Sequence, residues 1–130
     1  MVPAMPLQPG LSADLTLVVT RADLATSLGS GVVDVLGTPR VVALCEQATV
    51  SATDGHLGIG EVTLGTRVEI DHLRASALGA EIAAHAELTS VDGRRLEFEV
   101  SATEGDTVIA SGRIVRAVVD GPKFMDRLGS

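Results

Sequence analysis

Aromatic residues make up 2% of this 130-residue chain; there is no Trp and no Tyr, and the two Phe are Phe98 and Phe124. A core must therefore be built from Val, Leu, Ile and Ala, which suits strands packed closely on a helix and gives a thin interior. A thin core gains further burial by dimerising, so a dimer is expected. The single cysteine, Cys45, excludes an internal disulfide, and its apolar helical setting makes it an inert core thiol. Cations are scarce as well: 10 Lys and Arg against 17 Asp and Glu leave a net charge of -7. No basic block offsets that charge, so a nucleic-acid partner has no electrostatic support. No apolar run approaches the length of a membrane span, and the opening "MVPAMPLQPG" lacks the charged start and long apolar stretch of a signal peptide. A cytoplasmic protein without a membrane partner is expected.

What is present suffices for one domain over residues 1–130, since 45% of the chain is hydrophobic. After a Pro-rich leader over residues 1–12, "DLTLVVT" (14–20) alternates as a strand with Leu15, Leu17 and Val19 on one side. Residues 21–37, "RADLATSLGSGVVDVLG", carry glycines between short apolar runs and read as a lid-like loop or broken helical turn. Helix signals follow: Thr38 as N-cap, Pro39 at the first helical position and Asp54-Gly55 as the stop, enclosing about four turns.

From Glu61 the period becomes two. Val62, Leu64, Thr66, Val68, Ile70 and His72 fall on one face, opposite Glu61, Thr63, Gly65, Arg67, Glu69 and Asp71. Ile82, Ala84, Ala86 and Leu88 continue the pattern in the next strand, Asp92-Gly93 marks a hairpin, and Leu96, Phe98, Val100 and Ala102 point inward in the strand after it. "EGDT" then turns the chain into a last strand, "VIASGRIVRAVV". One strand, one helix and four consecutive antiparallel strands make an α+β domain whose sheet curls around one apolar helix.

Two residues break these patterns. Glu46 sits mid-helix beside Cys45 among small apolar residues, where a lone buried carboxylate costs several kcal/mol. His72 occupies a position on the apolar face of its strand that asks for Val or Ile. A helix wrapped by a sheet brings the two toward each other, and a desolvated Glu beside an imidazole is a usual arrangement for general-base or nucleophilic work. Thr38 lies about 12 Å along the helix axis from Glu46, so a joint role for them needs a substrate or a second subunit between. His56, His72 and His85 are too far apart in pattern for a metal set, and His85 falls on the polar face.

The stretches "GTPRVVALCE", "LGTRVEIDHLRASALG", "ELTSVDGRRLEFEVSA" and "SGRIVRAVV" together resemble the hotdog-fold acyl-CoA thioesterases, most closely the fluoroacetyl-CoA thioesterase group, from about Gly37 to Phe124. That family carries a Thr just before its central helix, a Glu eight residues on and a His at the end of the next strand, matching Thr38, Glu46 and His72. The resemblance implies a homodimer, open to pairing further, with its sheets joined edge to edge and acyl-CoA bound at the interface. It implies no metal and no cofactor beyond the coenzyme A of the substrate. Glu46 would be base or nucleophile, His72 would position or protonate, and Thr38 would hydrogen-bond the reacting groups. Gly65 and Arg116 match positions around the acyl group, although a bulge at Gly65 and an inward ion pair at Arg116 explain them equally well.

The chain departs from the family in the segment before the helix, which is shorter here and has no aromatic residue. Specificity for fluoroacetate is therefore not implied. Arg67, Arg74, Arg94, Arg95 and Lys123 are available to pair with coenzyme A phosphates, but a solvated strand face accounts for them too, and none is assigned. The competing readings are a hotdog protein that binds an acyl-CoA or another small ligand without catalysis, and, as a poorer match, a hydratase.

Overall fold

Alternation in residues 81–104 produces two neighbouring inner strands of the structure, a computed structural model that describes residues 6–129. The first five residues of the leader, and Ser130, lie outside the described residues. The strands are β1 (Ser12–Val18), β2 (Glu61–His72), β3 (Glu81–Asp92), β4 (Arg95–Glu104) and β5 (Thr107–Asp120). They form one antiparallel sheet in the order β1-β3-β4-β5-β2. Between β1 and β2 run a 3-10 turn (Arg21–Asp23), the short α1 (Ala25–Leu28) and the long α2 (Thr38–Ala52), and α3 (Gly121–Arg127) follows β5. The first strand starts and ends two residues earlier than the sequence suggests.

Ile82, Ala84, Ala86, Leu88, Leu96, Phe98 and Ala102 are fully buried, as their alternation predicts, and they face Val41, Leu44, Cys45 and Ala48 of α2. The helix packs most heavily on β1 and β3. Phe98 is the one large aromatic side chain of this core, and alanines on both surfaces let helix and sheet approach closely. Burial pushes the Cys45 thiol up to about 11, consistent with an inert core residue. Both hairpins place glycine at the first central position, Gly93 (φ 59) and Gly105 (φ 58), where a tight turn needs positive φ. The first turn is thus Gly93-Arg94, one residue later than the sequence reading.

The parity read for β2 fails halfway along. Gly65 pairs with Arg116 but Arg67 pairs with Val115, so Thr66 is an extra residue in the strand. Before this bulge Glu61, Thr63 and Gly65 share the inner face of the sheet; after it Val68, Ile70 and His72 do. Val62, expected inside, is 44% exposed. A period-two pattern cannot reveal this, because a bulge reverses the parity without disturbing the residue types on either side.

The helix start also differs from expectation. Gly37 is the N-cap, and Thr38 and Pro39 are the first helical residues. A Cβ at Gly37 would lie 2.8 Å from Leu28 Cδ1 and 3.1 Å from the Ala25 backbone, so α1 crosses too close for any side chain there. Asp23 secures the same junction. Its carbonyl accepts from Gly37 N, and its carboxylate accepts from Thr20 N at 2.7 Å, Thr20 Oγ1 at 2.9 Å and Arg40 Nε at 3.0 Å. Burial opposes ionisation of Asp23, but these donors outweigh it and hold the carboxyl below its ordinary range.

Candidate active site

Because Gly37 caps the helix, the Thr38 hydroxyl is free for another partner. It lies 2.7 Å from His72 Nδ1, where the last inward position of β2 meets the first turn of α2. The other ring nitrogen, Nε2, is buried without a partner among the described residues; the hydroxyl of Ser76, four residues on, is in the same condition. Ser76 also lies at this end of the helix, its carbonyl accepting from Leu36 N. Nothing in the sequence pattern marked Ser76, since a serine in a loop carries no periodic signal.

Two turns along the same helix, Glu46 extends toward the inner face of β2 and β5. Its Oε2 lies 3.5 Å from Arg116 Nη1. Arg116 is 7% exposed and anchored further by Thr63, whose hydroxyl accepts from Nε at 2.9 Å and whose carbonyl accepts from Nη2 at 3.0 Å. Burial lowers the affinity of this guanidinium for its proton, and the Glu46 charge opposes that. A cation taken out of water at this depth is retained because it is paired and hydrogen-bonded. Gly65 makes the meeting possible: a Cβ there would stand 2.6 Å from Glu46 Oε2 and 3.4 Å from Arg116 Nη1. The register shift beside Gly65 and the inward ion pair of Arg116 are both present.

Two expectations are corrected. Glu46 is not sealed in an apolar interior; its side chain is 37% exposed, and Arg116 is the buried member of the pair. Nor do Glu46 and His72 meet within the chain: the imidazole pairs with Thr38 and the carboxylate with Arg116. Periodicity aims both residues inward, but the bulge puts Thr63 and Gly65 on the face of β2 toward Glu46, where Arg116 reaches the carboxylate first.

Glu46 opens onto a cleft of about 750 Å³ that α2 shares with Leu15 and Thr16 of β1 and with Arg116. Its Oε1 has no partner among the described residues, so one carboxylate oxygen is fixed by Arg116 and the other is available to a bound molecule. His85 is paired with Asp14 at 2.8 Å on the outer face, away from this cleft. Among the described residues no three His, Cys, Asp or Glu side chains gather as a metal site, and no helix is long and apolar enough to cross a membrane.

Comparison with known proteins adds to this geometry. A family model for the fluoroacetyl-CoA-specific thioesterase matches residues 19–121. The fluoroacetyl-CoA thioesterase of Streptantibioticus cattleyicolor is 42% identical over 91 residues, which is 70% of this chain and 66%, just under two thirds, of that protein. A solved structure of a fluoroacetyl-CoA thioesterase superposes with a TM-score of 0.90 at 32% identity, covering 95% of this chain and 96% of that one. A hot-dog-like protein from Thermanaerovibrio acidaminovorans matches with a TM-score of 0.85 at 22% identity over 94% of this chain and 90% of its own, a likeness of fold alone.

Proposed function

The chain belongs to the fluoroacetyl-CoA-specific thioesterase family, and from that premise we propose that it hydrolyses a short or medium acyl-CoA thioester to the free acid and coenzyme A, at a Thr38, Glu46 and His72 site completed by a second subunit. The observation that carries this reading is the Glu46 carboxylate, steered by a buried arginine and presenting its free oxygen to the cleft. Positioning a nucleophile or base in this way is worth several kcal/mol of the barrier. Either Glu46 attacks the carbonyl carbon, expels the thiolate and is regenerated when water cleaves the mixed anhydride, or it takes a proton from the water that attacks. In both routes the C–S bond breaks and the departing sulfur is protonated. Gly65 and Arg116 would border the acyl group. No metal or separate cofactor is required, and the protein would work in the cytoplasm.

A dimer accounts for the distance between the two halves of the site. β2 is an edge strand, and Val62 and Val68 are 44% and 39% exposed on it. Antiparallel pairing of β2 with its own copy would bring the His72 end of one strand alongside the Thr63–Gly65 half of the other. The segment over residues 19–37 has no aromatic residue, and its tip exposes Val32 (94%) and Val33 (60%). The fluoroacetyl preference of the relatives is therefore not carried over.

The test is release of free thiol from a panel of acyl-CoAs, with Glu46→Ala and His72→Ala beside the wild type. Binding without thiol release would support a ligand-binding protein instead. Equal turnover by Glu46→Ala would remove Glu46 from its role. Refolding the two inactive variants together should restore about a quarter of wild-type activity if each site draws on both subunits, because half of the dimers then hold one intact site. No recovery would place each site within one chain.

A further inference from the structure

Three of the ten cations of this acidic chain gather around one cleft. Arg94, in the turn between β3 and β4, and Lys123 and Arg127, in α3, line a space of about 340 Å³ together with Val118, Asp120 and Phe124. Two carboxylates face them. Asp120 accepts from Lys123 N at 3.1 Å, and Glu61 Oε2 lies 3.7 Å from Arg94 Nη1 while its other oxygen accepts from Gly58 N. Positive charge predominates along this cleft, in a molecule of net charge -7.

Its position adds meaning. Glu61 shares the inner face of β2 with Thr63 and Gly65, and four residues of strand span about 13 Å. A hollow bounded by Val50, Leu57, Glu61 and Thr63 lies along that run. Val50 also lines the Glu46 cleft, Thr63 holds Arg116, and Glu61 meets Arg94. The Glu46 cleft, the hollow and the cation cleft therefore follow one another along the molecule, the first two sharing Val50 and the last two meeting at the Glu61–Arg94 pair. An acyl-CoA has this same order of parts: a thioester, an uncharged pantetheine arm, then an adenosine carrying a 5′-diphosphate and a 3′-phosphate.

We propose that the Arg94, Lys123 and Arg127 cleft binds the phosphorylated nucleotide of coenzyme A, with the pantetheine arm lying along the Thr63–Glu61 hollow. Arginine and lysine donors suit phosphate oxygens, and the half-buried Phe124 ring adds aromatic surface beside them. The inference rests on the acyl-CoA reading for its ligand, but it is testable apart from the reaction.

Calorimetry with adenosine 3′,5′-bisphosphate, which lacks the thioester and the arm, provides that test. The wild type should bind it, more weakly as salt rises. Lys123→Glu combined with Arg127→Glu should weaken binding about tenfold or more, and so should Arg94→Ala. Arg113→Ala, on the outer face, should leave it unchanged. Circular dichroism confirms folding, and the Lys123 and Arg127 pair, both exposed, keeps the test valid should Arg94→Ala disturb its turn. Absence of binding, equal binding by the variants, or equal competition by inorganic phosphate would overturn the proposal. Variant-sensitive binding by a protein that releases no thiol would uphold the cleft and reject the reaction; thiol release with an unchanged KM for acyl-CoA in the double variant would do the reverse.

Discussion

Glu69 and Arg113 lie 3.3 Å apart on the outer face of β2 and β5, and Glu46 and Arg116 lie 3.5 Å apart beneath the inner face of the same two strands. The outer pair is solvated and duplicated. Glu69 also bonds Arg67 at 3.0 Å, and that hydrogen bond, followed by the charges of Arg67 and Arg113, holds its carboxyl below the ordinary range. The inner pair has no duplicate. Its arginine is buried, its glutamate is half open, and a bulge and a glycine are arranged around it. Solvent screens the first pair into near irrelevance, whereas loss of Glu46 would leave the buried Arg116 charge with little water to replace its partner. Distance alone would rank them as equals.

The contrast is broken most directly by exchanging each glutamate for its amide. Glu46→Gln should lower kcat by about 10³-fold or more, since the amide can neither attack the thioester nor take a proton, whereas Glu69→Gln should stay within about twofold. A similar loss from both would mean that the inner pair is not the reactive one. Next in size, Gly65→Ala should cost about 10²-fold in kcat/KM with the fold retained, because the methyl displaces the flexible end of Glu46 rather than backbone; a fully active variant would show that the carboxylate needs no fixed position.

The Asp23 junction sharpens the comparison from the side of stability. Asp23→Asn should lower the melting temperature by about 4 °C at pH 7. The native Asp23 carboxyl is held below its unfolded value, so its stabilisation is complete above the ordinary carboxylate range and fades as pH falls through the native value. The gap between wild type and variant should therefore close in acid, and a gap independent of pH would assign the loss to geometry instead. Smallest of all, Arg113→Ala should move the melting temperature by less than about 2 °C, which differential scanning calorimetry can resolve.

Much of this molecule was legible in its residues. The inward sets of β3 and β4, the span of the central helix, the inert Cys45 and the polar-face position of His85 follow from periodicity, caps and charge, but the pairing of His85 with Asp14 does not. The candidate site was legible as a list of residues but not as a set of contacts. Thr38 looked like a cap because Thr before Pro commonly is one, and only the crossing of α1 over Gly37 moves the cap back by a residue. Glu46 and His72 looked like a pair because both interrupt apolar faces. The extra residue at Thr66 instead turns Gly65 inward, so that Arg116, in register with it, reaches the carboxylate. Strand parity across a bulge depends on pairing with a neighbouring strand, and that information is not local.

Cys45 offers a practical advantage. With no accessible surface and a proton it does not surrender until about pH 11, the chain's only sulfhydryl is silent toward the colorimetric reagents that would count liberated coenzyme A. Any signal from a native sample thus reports product, while in a sample without substrate a slow rise limited to one equivalent per chain reports molecules that have come undone. One reagent can follow turnover and loss of the folded state by the same colour.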